Sequence, residues 1–132
     1  MKKSEHHLRY AIKGNAIFSI SSALTLLLSS RPIAKIMNLS APNSLVFIGI
    51  GLFIFAITLF QNAFRKELKS TQIRFIIIQD WLWVIGSLIL LIWNPFGISM
   101  IGNYIIAGVA LIVTIFAILQ HRTLNNFVTE GK

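Results

Sequence analysis

Four long apolar runs constrain the fold of this chain more than any other feature of its sequence. They cover roughly residues 11–30, 44–64, 73–93 and 98–120. Each run is close to the ~20 residues that an α-helix needs to cross the hydrocarbon core of a bilayer. Lipid offers no hydrogen-bond partners to backbone N–H and C=O groups, so such runs cross membranes as helices, in which these groups bond to one another. We therefore predict an all-α integral membrane protein with four transmembrane helices.

The composition leaves little material for a second domain. Of the 132 residues, 55% are hydrophobic and 12% are charged. That charged fraction is about half the ~25% of a typical soluble domain. The segments outside the four runs are short. We therefore predict a single four-helix transmembrane domain over residues 1–132.

The residues that most often bind metals and cofactors are scarce. The chain contains no cysteine, which excludes thiol–disulfide chemistry, cysteine-ligated metals and iron–sulfur clusters. His6 and His7 are adjacent, so they cannot share a helix face as a metal-binding pair four residues apart does. We find no nucleophile elbow, phosphate loop or paired carboxylates. We therefore expect no cofactor and no metal, and the sequence leans away from an enzyme.

Basic residues are distributed unevenly between the two sides of the predicted membrane. The net charge is +8, and only Arg31 and Lys35, of 12 basic residues, lie between the first and second runs. The positive-inside rule then predicts that both termini and the loop 65–74 are cytoplasmic. We expect these basic residues to contact anionic lipid headgroups there. No basic domain with base-reading groups is present, so we expect no nucleic-acid partner.

The connections predict how the helices follow one another. In the longest connection, Pro32 suits the first turn of a short helix, and Ile33, Ile36 and Met37 share one face. This pattern predicts a short interfacial helix over 31–38, with an irregular loop as the alternative. The connection 65–70 and the turn 94–97 are short. We therefore expect each of them to join two antiparallel helices that pack side by side.

Each run also carries a stripe of polar or small residues in alternating steps of three and four. In a membrane, such residues mark the face that a helix turns toward other helices. A repeat near 3.5 residues predicts an antiparallel, left-handed bundle with crossing angles of about +20°. The stripes are either packing seams or the lining of a binding cavity. On the fourth run, the predicted stripe contains Ala110, Thr114, Ala117 and His121.

Asp80 is the acidic residue inside an apolar run. An ionised aspartate at the bilayer centre costs about 2.5–3.5 kcal/mol, so Asp80 needs polar partners. We predict one hydrogen-bonded layer around it, whereas Gln61, Gln79 and Gln120 are predicted to lie on other faces, at interfacial or intersubunit contacts. The candidate ligand-binding or proton-titrating residues are Asp80, Asn15, Ser19, Thr58, Asn62, Trp83, Ser87, Thr114 and His121.

Three roles for this polar layer stay open at the level of the sequence. It is a clasp that fixes helix register, a titratable or ligand-binding site, or a contact with another membrane protein. We favour a small integral membrane module that binds a lipid, an apolar ligand or a membrane-protein partner. The alternative is a proton-coupled transporter of small solutes, as a homodimer, with Asp80 as its titrating group. A lipid-modifying membrane enzyme is the third hypothesis.

Two short motifs resemble those of a set of small bacterial four-helix integral membrane proteins. Asn15-Ala16-Ile17-Phe18-Ser19 matches an Asn-x-x-Phe-Ser element in the first helix, and residues 80–87 match an Asp-x-x-Trp-Val-x-Gly-Ser element in the third. The resemblance implies a four-helix fold in a bacterial inner membrane and implies no activity. Small multidrug exporters are similar in architecture, but they rely on an acid in the first helix, which is absent within this first run.

Overall fold

The described part of the chain is all-α, with short non-helical connections between the helices. A computed structural model describes residues 3–39, 43–94 and 97–130, and these contain no strand. Four of the helices are long and apolar enough to cross a membrane, which confirms the prediction of four long apolar helices. The helices are α1 (Lys3–Leu28), α2 (Ser30–Met37), α3 (Asn43–Ala63), α4 (Ser70–Trp93) and α5 (Met100–Glu130).

The outer surface of the four long helices fits lipid rather than water. Between 22% and 28% of the residues in their apolar stretches are buried. Phe47, Ile54, Leu82 and Ile92 are each at least 60% exposed. Soluble monomers rarely expose an apolar surface this extensive. The exposed side chains therefore mark the faces that a bilayer would cover.

The two outermost helices are longer than predicted. The first begins at Lys3 rather than near residue 11, and the last continues to Glu130 rather than ending near residue 120. The last helix extends beyond the apolar run because the apolar residues that follow share a face. Leu124 is 1% exposed, and Phe127 packs against the same buried cluster, which includes Leu8 at the start of α1.

The short helix α2 occupies the predicted position. It ends at Met37, and Asn38 follows in the left-handed conformation with φ of 61°. The Ser99 backbone N–H donates to the Met37 carbonyl at 2.9 Å, and the Ser99 hydroxyl donates to the Ile36 carbonyl at 2.7 Å. These bonds attach α2 to the start of α5. Pro95, in the predicted turn 94–97, lies outside the described residues.

The packing order of the long helices differs from the predicted one. Helix α1 packs against α3 and α5, and α5 packs against α4, whereas α3 and α4 scarcely touch. The predicted side-by-side pairing of the second and third spanning helices is therefore wrong. Their short connection holds only one end together, where Leu59, Leu68 and Ile73 share a buried cluster. Beyond that cluster, α3 and α4 are separated by a gap.

The close partner of α3 is α1, because a seam of small, buried residues on α3 faces it. Gly49, Ala56 and Ala63 recur every seven residues and are buried. A Cβ atom at Gly49 would lie 3.0 Å from Leu27 Cγ, so the two backbones approach closely there. Small residues permit this approach in a membrane. The seam with α1 thus turns another face of α3 toward the gap.

Arg9 fixes the other end of this helix pair. Its Nη1 donates to the Ala63 carbonyl at 2.8 Å, and its Nη2 donates to the Lys66 carbonyl at 2.9 Å. These carbonyls lie at and just beyond the end of α3, where a helix leaves acceptors unsatisfied. Nη2 also donates to Glu5 Oε1 at 3.1 Å. A residue expected at the headgroups therefore joins α1 to the end of α3.

We predict that Gly49→Leu destabilises the bundle by about 1–3 kcal/mol, because the added side chain overpacks the α1–α3 seam. The matched control is Gly86→Leu, since a Cβ at Gly86 meets nothing within 4 Å. The free energy of unfolding is measured by SDS titration in detergent micelles with circular dichroism. Equal stability of the two variants would contradict close packing at Gly49.

Candidate functional site

Asp80 is buried and is bound by two side-chain amides from other helices. Asn15 Nδ2 on α1 donates to Asp80 Oδ2 at 2.8 Å, and Gln120 Nε2 on α5 donates to the same oxygen at 2.7 Å. Asp80 is 3% exposed, Asn15 is 1% exposed and Gln120 is fully buried at 0%. The two amides thus supply the polar contacts that lipid could not.

The two amides also bind each other, which closes a ring of three side chains. Asn15 Nδ2 donates to Gln120 Oε1 at 3.1 Å, and Ser19 Oγ donates to Asn15 Oδ1 at 3.2 Å. Within the described residues, α1 and α4 do not pack directly. The bond between Asn15 and Asp80 therefore reaches across the diagonal of the bundle. We call Asn15, Asp80 and Gln120 the amide–carboxylate ring.

Gln120 was predicted to lie on another face, and that prediction was wrong. The buried seam of α5 contains Ala110, Val113, Ala117 and Gln120. The predicted stripe also contained Ala110 and Ala117. It had Thr114 and His121 in place of Val113 and Gln120, each one position farther along the helix. His121 is exposed, and its Nε2 lies 3.4 Å from Asn125 Nδ2. His121 is therefore not part of the ring.

Three other hydroxyl residues among the predicted candidates bond to the backbone of their own helices. Each of these hydroxyls donates to the backbone carbonyl four residues earlier, as serine and threonine commonly do inside helices. The distances are 3.2 Å for Thr58 to Ile54, 2.7 Å for Thr114 to Ala110 and 2.9 Å for Ser87 to Trp83.

Asn62 behaves in the same way, since its Nδ2 donates to the Thr58 carbonyl at 2.9 Å. The hydrogen-bonded layer is thus smaller than predicted. Of the predicted candidates it contains only Asp80, Asn15 and Ser19.

A cavity of about 270 Å³ lies beside the ring, between the separated helices α3 and α4. This volume is near the lower end of the ~300–1,000 Å³ typical of small-molecule sites. All four long helices contribute to its wall. The lining residues are Asn15, Phe18, Ser19 and Ser22 of α1, Ile48, Gly51, Leu52 and Phe55 of α3, Gln79, Asp80 and Trp83 of α4, and Val109 and Val113 of α5.

The wall of this cavity combines one acid with a largely apolar surface. Both amide donors bind Asp80 Oδ2, so Oδ1 receives no hydrogen bond from the described residues. No Lys, Arg or His is among the described lining residues, which leaves the carboxyl group without a cationic partner in the wall. Such a site suits a ligand that brings a cation or a hydrogen-bond donor.

Gln61 and Gln79, which were predicted to lie on other faces, are both exposed. Gln79 lines this cavity, and Gln61 lines a second cavity farther along the gap. Both positions follow from the separation of α3 and α4, which exposes faces that a closed bundle would hide. Trp83 also lines the cavity, which agrees with its predicted inward placement.

Comparison with protein-family models, with curated proteins and with solved structures finds no match to this chain. The function must therefore be inferred from the side chains themselves.

We predict that Gln120→Leu destabilises the protein by about 1–2 kcal/mol, the scale of interhelical polar contacts in membranes. The matched control is His121→Leu, one position along the same helix on an exposed face, which we expect to change stability by less than about 0.5 kcal/mol. Unfolding in SDS, followed by circular dichroism, measures both variants.

The same measurement on Asp80 variants extends this test. Asp80→Asn retains a side-chain oxygen that accepts from both amides, so we expect it to be nearly neutral. Asp80→Leu should lower the free energy of unfolding by about 1–2 kcal/mol. Adding Gln120→Leu to Asp80→Leu should lower it further by less than Gln120→Leu does alone. If Gln120→Leu and His121→Leu behave alike, the ring is not the contact that joins α1, α4 and α5.

Proposed function

We propose that this protein is a membrane module that binds an amphiphilic small molecule in the cavity between α3 and α4. The apolar body of the ligand lies between the helices, and its cationic or hydrogen-bond-donating head meets Asp80. The observation that carries the proposal is a carboxyl group at the wall of an apolar cavity, without a cationic side chain beside it among the described residues. An ionisable residue inside a spanning segment favours a functional site.

The route into the cavity supports a ligand that partitions into lipid. Helices α3 and α4 scarcely touch, and Gly51 and Gln79, which line the cavity from these two helices, are both exposed. An opening between two lipid-facing helices admits molecules from the bilayer. The ligand class is therefore an amphiphile rather than a strongly hydrated solute.

The aromatic residues of the wall favour a cationic head. Phe18, Phe55 and Trp83 line the same cavity as Asp80. Aromatic faces attract organic cations, and tryptophan does so most strongly. A quaternary ammonium or protonated amine would meet a carboxyl group and aromatic rings together. We therefore infer that a cationic amphiphile binds better than a neutral one of equal length.

We further propose a multi-pass protein of a bacterial inner membrane, with a left-handed bundle and with both termini in the cytoplasm. The uneven distribution of basic residues supports this orientation, because only Arg31 and Lys35 lie in the first connection. The motifs of the first and third spanning helices support the bacterial location.

The orientation is testable because the chain has no native cysteine. We expect the variant Glu67→Cys to react with a membrane-impermeant maleimide only in inverted vesicles. The matched variant Lys35→Cys should react only in intact cells or spheroplasts. The opposite pattern would reverse the assignment of sides.

The ligand proposal is tested with dodecyltrimethylammonium as the probe. In a background of Trp81→Phe and Trp93→Phe, the fluorescence of Trp83 reports on the cavity. We expect a saturable change in this fluorescence, and Asp80→Asn should weaken the apparent affinity by about tenfold, equivalent to ~1.4 kcal/mol. Dodecanol, which lacks the cation, should bind weakly, and its affinity should be the same with and without the Asp80→Asn substitution.

A cavity-filling variant provides the steric test. A Cβ atom at Gly51 meets nothing within 4 Å, so Gly51→Phe is expected to fill the cavity without disturbing helix packing. It should abolish the response, whereas Gly86→Phe, on an exposed face of α4, should retain it. Unchanged binding in Gly51→Phe would contradict binding in this cavity.

A proton-coupled transporter of small solutes is the second candidate function. It is favoured by the titratable carboxyl group that Asp80 places at the cavity wall. Transport requires release across the membrane in addition to binding. Proteoliposomes with an imposed pH gradient distinguish the two functions, since the transporter predicts probe flux that Asp80→Asn abolishes. Binding without flux supports the module, and flux that persists in Asp80→Asn excludes Asp80 as the proton carrier.

A further inference from the structure

A second cavity of about 420 Å³ lies along the same gap, nearer to the α3–α4 connection. It shares no described lining residue with the cavity at Asp80. Its wall is more polar and carries a positive charge rather than a negative one. Besides Phe75, the lining residues are Arg65 and the uncharged polar residues Thr58, Gln61, Asn62, Thr71 and Gln72.

Arg65 supplies the charge of this cavity. Its side chain is partly buried and forms no ion pair within the described residues. The acid nearest to it in sequence, Glu67, is exposed and does not line the cavity. A guanidinium group presents paired N–H donors whose geometry matches two oxygens of a phosphate. Arg65 is thus an available anion-binding group at the wall of a cavity.

Asn62 supplies an acceptor in the same wall. It is 3% exposed, and its Nδ2 donates to the Thr58 carbonyl at 2.9 Å. Its Oδ1 is buried and has no hydrogen-bond partner within the described residues. An unmatched buried acceptor is unfavourable, so the site is complete only when a donor reaches it. A water molecule or a ligand in the cavity supplies that donor.

We propose that this second cavity binds a phosphate ester that carries a neighbouring hydroxyl or ammonium donor. Arg65 binds the phosphate oxygens, and the donor of the ligand is directed to Asn62 Oδ1. The side-chain amides of Gln61 and Gln72 and the hydroxyl of Thr71 provide further hydrogen bonds to the ligand oxygens. The site requires no contribution from the Asp80 cavity, so the two proposals stand or fall separately.

A lipid headgroup and a soluble phosphate ester both carry this chemistry. The cavity lies at the end of α3, next to a connection that contains Lys66 and Lys69. Basic residues at the end of spanning helices attract anionic lipid to the same place. The experiment therefore offers both sources to the same variants.

The experiment uses the full-length protein in detergent and native mass spectrometry. The protein is offered equal amounts of phosphatidylglycerol, whose headgroup has hydroxyls, and phosphatidylmethanol, an anionic diester without them. We expect preferential retention of phosphatidylglycerol. Arg65→Gln should reduce the retention of both lipids by about tenfold, whereas Arg74→Gln, which removes a charge from an exposed position on α4 outside the cavity, should change it less than twofold.

Asn62→Leu separates the donor contact from the charge contact. We expect it to remove the preference for phosphatidylglycerol over phosphatidylmethanol while retention of the diester persists. Glycerol 3-phosphate is then added as a competitor. If it displaces the lipid from the protein, and this displacement depends on Arg65, the ligand is a soluble ester. If the lipid is retained in its presence, the ligand is the lipid headgroup.

Helical circular dichroism and the unfolding midpoint establish that each variant is folded, and Arg65→Lys replaces Arg65→Gln if the latter is not. Equal losses in Arg65→Gln and Arg74→Gln would overturn the site and indicate general attraction of anions to a basic surface. Binding that is unchanged in Arg65→Gln would overturn it as well.

Discussion

The structure depends on the burial of one carboxyl group inside a helix that is long and apolar enough to cross a membrane. Asp80 cannot face lipid without a large cost, and two amides from α1 and α5 meet it at 2.8 and 2.7 Å. Because these amides also bind each other, three helices are joined at one point. The ring therefore sets the rotation of α1, α4 and α5 about their axes. It also places the carboxyl group at the edge of the cavity.

Helices α3 and α4 are separated because each of them is held by other helices. Helix α3 directs Gly49, Ala56 and Ala63 toward α1, and Arg9 binds the carbonyls at its end. The ring draws α4 toward α5 and α1, and no comparable contact among the described residues draws it toward α3. The gap between them carries two cavities of opposite character, one with Asp80 and one with Arg65. A single structural feature thus provides both candidate sites.

The sequence predicts the helices well because hydropathy and length decide whether a segment crosses a membrane. It also predicts Asn15, Ser19 and Asp80 as inward polar residues. The rotation of α5 is not predictable in this way, since Ala110 and Ala117 belong equally to a stripe through Val113 and Gln120 and to one through Thr114 and His121. Thr114 satisfies its own hydroxyl through the Ala110 carbonyl, so its polarity carries no information about rotation. The gap was missed because a short connection fixes the ends of two helices but not their packing.

The most direct test of the amide–carboxylate ring is a solid-state NMR distance measurement in lipid bilayers. Asp80 is the single aspartate of the sequence, so carboxyl-¹³C aspartate labels this site alone. With ¹⁵N in the side chains of asparagine and glutamine, we expect dipolar dephasing that corresponds to carbon–nitrogen distances of about 3.5–4 Å, as hydrogen bonds of this geometry require. Asn15→Ala and Gln120→Ala should each remove one contribution. The absence of dephasing, together with contacts from the carboxyl carbon to acyl chains, would contradict the ring.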